Sequence, residues 1–374
     1  MQKARLRRMR AFWNNYKFVC IAYALWRITL GLAALLSVKF IPLRVGFLGA
    51  IPWSNMDGVH YIEIAKHGYF QYGEAFFPLY PFLIRMLATY TFFSYEAAGL
   101  LISHIGFLAG LLLLYRMIVR HSKALARWTI VFLLAFPTAF FYAAVYTEGL
   151  FFFLIVASVA LAKEKRWFAA GICGALAAAT RVVGITTLVL VAWEYWQNKP
   201  KRIRLSDIAS IAIIPLGLLC YMWYLYRMTG DPFMFFHVQP MYGANRSGNA
   251  IIFLPQVFWR YGKIIFTAFL KPTAESYVVS VFECLFTIGA YVLLYIGWRS
   301  KEKMSYLIYA ICVLTIPTFT GTLSSMPRYI VSVFPLFIVL GRLVPTSFKV
   351  TLVVLFGILQ MVAAMVYLRG WFVA

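Results

Sequence analysis

The chain has 374 residues, 63% hydrophobic and only 13% charged, where a soluble domain carries about 25% charged and about 45–50% apolar residues. One soluble core cannot absorb that excess, since cores stop growing near roughly 250–300 residues, so the bilayer is its natural solvent; disordered, collagen-like and disulfide-framework classes are excluded. Lys plus Arg number 35 against 12 Asp plus Glu, a net charge of +23, and with no soluble basic domain to meet nucleic acid, the excess reads as loops held on the cytoplasmic side.

The N-terminus carries Lys3, Arg5, Arg7, Arg8, Arg10 and Lys17 before an apolar run from Phe18 to about Ile41. That run is too long for a signal peptide and long enough to span, and its basic flank places the N-terminus in the cytoplasm. Further apolar segments follow at 97–115, 128–145, 148–162, 168–180, 184–197, 205–226, 276–298, 304–322, 329–344 and 350–368. Basic clusters fall between alternate segments: Arg116/Arg120/Lys123/Arg127, Lys163/Lys165/Arg166, Lys199/Lys201/Arg202/Arg204, Arg299/Lys301/Lys303 and Arg342/Lys349. With the N-terminal set they hold 22 of the 35 basic residues, all on one side of a threading with about eleven transmembrane helices. The expectation is an all-α polytopic membrane protein, residues 1–374 forming a single integral membrane domain.

Two long loops reach the other side, 43–96 and 227–274. Both are apolar and aromatic enough to lie on the membrane face, with amphipathic helices expected at 57–67, 79–93 and 255–270. The five cysteines, Cys20, Cys173, Cys220, Cys284 and Cys312, show no metal or disulfide spacing.

Charge is costly in this setting, so its placement is informative. Asp57, Glu63, Glu74 and Glu96 sit in the first loop, and Glu148 in the short turn Tyr146-Thr147-Glu148. Asp231 and Glu275 belong to the second loop. Arg181 falls between two short spans, and Arg328 follows Ser324-Ser325-Met326-Pro327. Carboxylates and cations from distant parts of the chain thus converge on one membrane face, as an active site there would require. A transporter more often keeps such groups near the midplane, where the sequence offers Glu283. The bland readings are a helix cap for Asp57, a helix-dipole partner for Glu148 and interfacial anchors for the two arginines.

The first loop reads Trp53-Ser54-Asn55-Met56-Asp57-Gly58-Val59-His60-Tyr61, then Ile64-Ala65-Lys66-His67-Gly68-Tyr69, then Phe76-Phe77-Pro78-Leu79-Tyr80-Pro81. With Phe136-Pro137-Thr138-Ala139-Phe140-Phe141-Tyr142, Tyr146-Thr147-Glu148 and Ala178-Ala179-Thr180-Arg181, it resembles the PIG-V family. That family holds the second mannosyltransferase of glycosylphosphatidylinositol anchor synthesis and its prokaryotic relatives. The patches cover roughly the first half of the chain, and the lack of large luminal insertions is more like a prokaryotic member. The resemblance implies a GT-C-like fold and a sugar donor linked to polyprenyl or dolichyl phosphate, typically mannose. It places the catalytic acid at Asp57, with Glu148 as a second acid.

Sugar transfer with inversion needs a carboxylate to take the acceptor's proton, and cations where charge grows on the leaving phosphate. Asp57 is therefore assigned as base, Arg181 and Arg328 as phosphate binders and His60 as a helper. Lys66, His67, Tyr69 and Tyr80 are further donor-binding candidates, and Trp53 could stack on sugar or lipid. No metal or other cofactor is expected: there is no Asp-x-Asp motif, and the lipid-phosphate-linked sugar is itself the donor substrate. Expected partners are membrane lipids, that donor and a glycolipid or glycan acceptor, with no nucleic acid. The site would face the outside of a prokaryotic plasma membrane or the lumen of the endoplasmic reticulum. The alternatives are a lipid-linked sugar flippase or other transporter, and an accessory membrane subunit of a partner transferase.

Overall fold

The structure, a computed structural model, describes residues 2–44, 52–198, 204–268 and 274–373. The basic residues Lys199, Lys201 and Arg202 and the side chains of the N-terminal basic set up to Arg10 and of Glu275 lie outside what is described. Among the described residues every regular element is helical. The first six α-helices are α1 (Gln2–Phe40), α2 (Asp57–His67), α3 (Leu79–Tyr90), α4 (Tyr95–Val119), α5 (Lys123–Ala135) and α6 (Glu148–Lys163). Next come α7 (Trp167–Ala178), α8 (Thr187–Gln197), α9 (Leu205–Ala212), α10 (Leu216–Thr229), α11 (Met234–His237) and α12 (Leu254–Ala268). The chain closes with α13 (Ala274–Arg299), α14 (Met304–Thr315), α15 (Met326–Val331), α16 (Phe334–Leu343) and α17 (Thr346–Leu368).

Among the described residues four helices are long and apolar enough to cross a bilayer: α1 from Trp13, α4, α13 from Tyr277, and α17. The pair α9 and α10, bent by 47°, makes a fifth if counted as one span. The eleven expected spans are not reached by helix length, because several apolar segments fold as shorter pieces. The 12 residues of α7 rise only about 18 Å, against a hydrocarbon core about 30 Å thick. The expected 128–145 span shows why. Its helix stops at Ala135, because the residue before Pro137 is pushed out of helical geometry. The chain then makes a buried 3-10 turn, Ala139–Ala143. Gln360 of α17 satisfies the carbonyls this break strands, its Nε2 donating to Leu134 O at 2.9 Å and Phe136 O at 2.7 Å. Trp26 of α1 donates in turn to Gln360 Oε1 at 3.1 Å, tying three helices at one point.

The core draws on most of the helices, and α4 and α6 pack closely within it. Small residues permit that approach: a Cβ at Gly149 would collide with the Ser103 carbonyl. Above this contact Phe107 stacks on Tyr142, ring centroids 3.8 Å apart. The long helices expose apolar stripes at helical spacing, Leu25, Ile28, Leu32 and Leu35 on α1 and Val354, Ile358 and Val362 on α17. Such stripes suit hydrocarbon, and the chain is an integral membrane protein by this pattern.

Candidate active site

The stretch before α2 is fixed by bonds to two distant segments. Trp53 O accepts from Val145 N at 2.8 Å, and Asn55 Nδ2 donates to Tyr367 O at 2.9 Å. The hydroxyls of Tyr146 and Tyr367 both donate to Asn55 O at 3.2 Å. Met56 then adopts a φ of 53°, a conformation that costs a side chain roughly 1–3 kcal/mol unless its surroundings impose it. The consequence is that Met56, not Asp57, occupies the helix cap. Asp57 is the first residue of α2, and its carboxylate turns away from the backbone toward Arg328. Gly68 ends the helix at a φ of 87°, its N–H donating to Ile64 O.

Arg328 rides on α15, which the 136–142 stretch clamps: Thr138 Oγ1 donates to Pro327 O and Tyr142 OH to Val331 O, each at 2.7 Å. From there Arg328 Nη1 meets Asp57 Oδ2 at 2.6 Å, and its Nε lies 3.4 Å from Glu148 Oε1. Glu148 opens α6 and is 1% exposed; the whole turn Tyr146-Thr147-Glu148 is buried. Glu148 also pairs with Arg181, whose guanidinium sits 4.6 Å from the centroid of the Tyr329 ring. Four charged groups therefore alternate in sign, Asp57, Arg328, Glu148, Arg181, and their charges sum to zero. Both acids start helices, where the backbone dipole favours negative charge.

Burial alone would push the Asp57 carboxyl up. The hydrogen-bonded Arg328, with His60 and Arg246 further off, more than offsets this and holds it below the ordinary carboxylate range. Asp57 is thus ionised at neutral pH. Burial holds His60 below the ordinary imidazole range, only partly opposed by Asp57, so the ring is neutral there. It is stacked 4.8 Å from Phe76 and 5.9 Å from Phe70.

These groups line a cavity of about 950 Å³. Asp57, His60, Glu148, Arg181 and Arg328 all reach it. Lys66, His67, Tyr69, Tyr80 and Trp53 do not line it. Lys66 pairs with Glu96 at 3.2 Å, and His67 is exposed beside Glu63. Tyr69 OH donates to Phe76 O at 2.7 Å, and the fully buried Tyr80 donates to Gly99 O at 2.9 Å. The Trp53 ring packs under Arg27.

The cavity is also lined by groups that were not among the catalytic or donor-binding candidates, Glu283 having been noted only for the transporter alternative. Tyr242 and Arg246 come from the stretch after α11, Tyr261 from α12 and Glu283 from α13. Glu283 Oε2 accepts from Tyr261 OH at 2.7 Å, and Oε1 from Ser325 N at 2.9 Å, just ahead of the helix carrying Arg328. A signal existed for the arginines: Arg246 and Arg260 fall outside all the basic clusters that mark one side of the chain.

Residues 46–227 match the family model described as mannosyltransferase (PIG-V). Over that stretch the chain is similar to PIG-V mannosyltransferases. The matched stretch includes Asp57, His60, Glu148 and Arg181 and ends before Arg246, Glu283 and Arg328. No curated protein and no solved structure matches the chain significantly. The family match and the apolar helices together support a membrane mannosyltransferase.

Proposed function

We propose that the chain transfers a mannose-type sugar, with inversion, from a polyprenyl- or dolichyl-phosphate donor to a hydroxyl of a glycolipid or glycan. On this reading it is a GT-C-class enzyme whose cavity opens to the external or luminal face. The observation that supports it most is Asp57 held ionised by Arg328 at the wall of a large, mixed polar and apolar cavity.

Arg328 occupies Asp57 Oδ2, which leaves Oδ1 for an acceptor hydroxyl. As the hydroxyl oxygen bonds to the anomeric carbon, its proton passes to Oδ1. The bond from that carbon to the phosphate oxygen breaks, and its electron pair leaves with the lipid phosphate. The sugar carries oxocarbenium-like charge between these events, which the two carboxylates stabilise. Glu148 holds both arginines in place, and the arginines in turn hold the two carboxylates. His60, neutral and stacked, orients the acceptor.

The experiment is mass spectrometry of lipids and glycans from cells with and without the gene. Loss of one mannosylated species, with accumulation of its unmodified precursor, is expected; identical profiles would refute the assignment. The flippase alternative draws on Glu283, buried within the apolar helix α13. It predicts that the chain in liposomes moves labelled lipid-linked sugar across the bilayer without forming a glycosidic bond.

A further inference from the structure

The charged groups that line the cavity are not all engaged alike. At the reaction end Asp57 and Glu148 already engage Arg328 and Arg181. Arg246 faces the same space, yet among the described residues no carboxylate lies within ion-pair distance of it. Its guanidinium makes one hydrogen bond, from Nη2 to Ser324 Oγ at 3.2 Å. Its charge still reaches Asp57 and contributes to holding that carboxyl low.

The turn that carries Arg246 is built rather than loose. Arg260, from α12, donates to the carbonyls of Ala244 at 2.9 Å, Asn245 at 3.1 Å and Gly321 at 2.8 Å. Ser247 N donates to Thr320 O at 2.7 Å. Arg260 is thus consumed in holding the backbone, and Arg246 is presented to the cavity. The segments that follow Arg246 in the chain add apolar side chains to the lining, Ile251, Ile264, Val279 and Phe319. On α12 the rings of Trp259 and Phe266 are exposed, in keeping with a helix lying along lipid.

A lipid-linked sugar has three parts in fixed order: sugar, phosphate, apolar chain. The cavity offers carboxylates, an arginine outside any ion pair and apolar lining side chains. We propose that Arg246 is the residue that grips the donor's phosphate, while Arg181 and Arg328 hold the carboxylates. This rests on the transferase reading above. Arginine suits the task because its guanidinium meets two phosphate oxygens at once.

The test is binding of two probes, polyprenyl monophosphate and the matching polyprenol, to the full chain in detergent. The wild type is expected to prefer the phosphate. Arg246→Ala should weaken phosphate binding ~10- to 100-fold, the scale of a lost charged hydrogen-bonding partner, and leave polyprenol binding unchanged. Arg246→Lys, keeping the charge without the fork, should fall between. A wild type without phosphate preference, an Arg246→Ala protein that retains it, or equal loss of both probes in both variants would overturn the proposal. The parent reading fails separately. If the wild type transfers no sugar but its phosphate preference depends on Arg246, the subsite stands and the transferase reading falls. If Arg246→Ala transfers sugar at unchanged donor KM, the reading stands and the subsite falls.

Discussion

Replacing Arg328 by Met removes the cation between two carboxylates and leaves the volume nearly filled. At 2.6 Å and an effective dielectric constant of ~20, the Arg328–Asp57 attraction is ~6 kcal/mol before desolvation is counted. Breaking a buried pair by removing one partner typically costs ~3–5 kcal/mol. The Asp57 side chain is 30% exposed, so solvent screening brings the expected loss to ~2–3 kcal/mol. The pH dependence carries a distinctive sign. In the wild type Asp57 titrates below its unfolded value. It therefore adds stability that is present above the ordinary carboxylate pKa and lost as pH falls through the depressed folded one. Without Arg328 the burial penalty dominates, the carboxyl favours its proton, and acidification from about pH 7 to about pH 5 should narrow the gap between variant and wild type. The assay is unfolding of the detergent-solubilised chain at both pH values, for Arg328→Met, Asp57→Asn and the double variant. The double variant should be more stable than Arg328→Met, because it strands one carboxylate fewer. A gap that is independent of pH, together with no rescue by Asp57→Asn, would refute the reasoning.

Gly149→Ala should cost at least ~3 kcal/mol or prevent accumulation, because its Cβ meets the Ser103 carbonyl across the α4–α6 contact. Gly357→Ala, with open space at its Cβ, should be neutral or stabilising; comparable yields and unfolding midpoints for both would contradict this packing account. Tyr261→Phe leaves Glu283 without one of its two donors and should lower stability by ~1–3 kcal/mol, read by the same unfolding assay. His60→Phe keeps the stack on Phe76 and should preserve folding while lowering transfer from polyprenyl-phosphate mannose; undiminished transfer would remove His60 from the site.

What could be read from the sequence divides along physical lines. Local chemistry was legible. The α2 helix matches its expected bounds at 57–67 because Gly68 ends it, and the scarce acids Asp57 and Glu148 stood out because charge is costly in apolar surroundings. The number of spans was not legible, since a lipid-facing helix and a helix buried in protein have the same apolar composition. Residues 139–150 illustrate this: their apolar run looked like a membrane crossing and its turn, and every one of its side chains is packed inside the protein. The partners of Glu283 lie 22 and 42 residues away. No local pattern encodes them. The ion pair of Asp57 with Arg328 spans 271 residues. Its two ends were both candidates, though their contact was not predictable.

Transfer by the purified chain tests the central claim most directly. Wild-type and Asp57→Asn proteins, each in liposomes containing membrane lipids of the source cell as acceptors, would receive synthetic polyprenyl-phosphate mannose labelled in the sugar. The account predicts that the wild type moves label into a new glycosidic linkage and releases polyprenyl phosphate, while folded Asp57→Asn does neither. Equal transfer by the two proteins would contradict it.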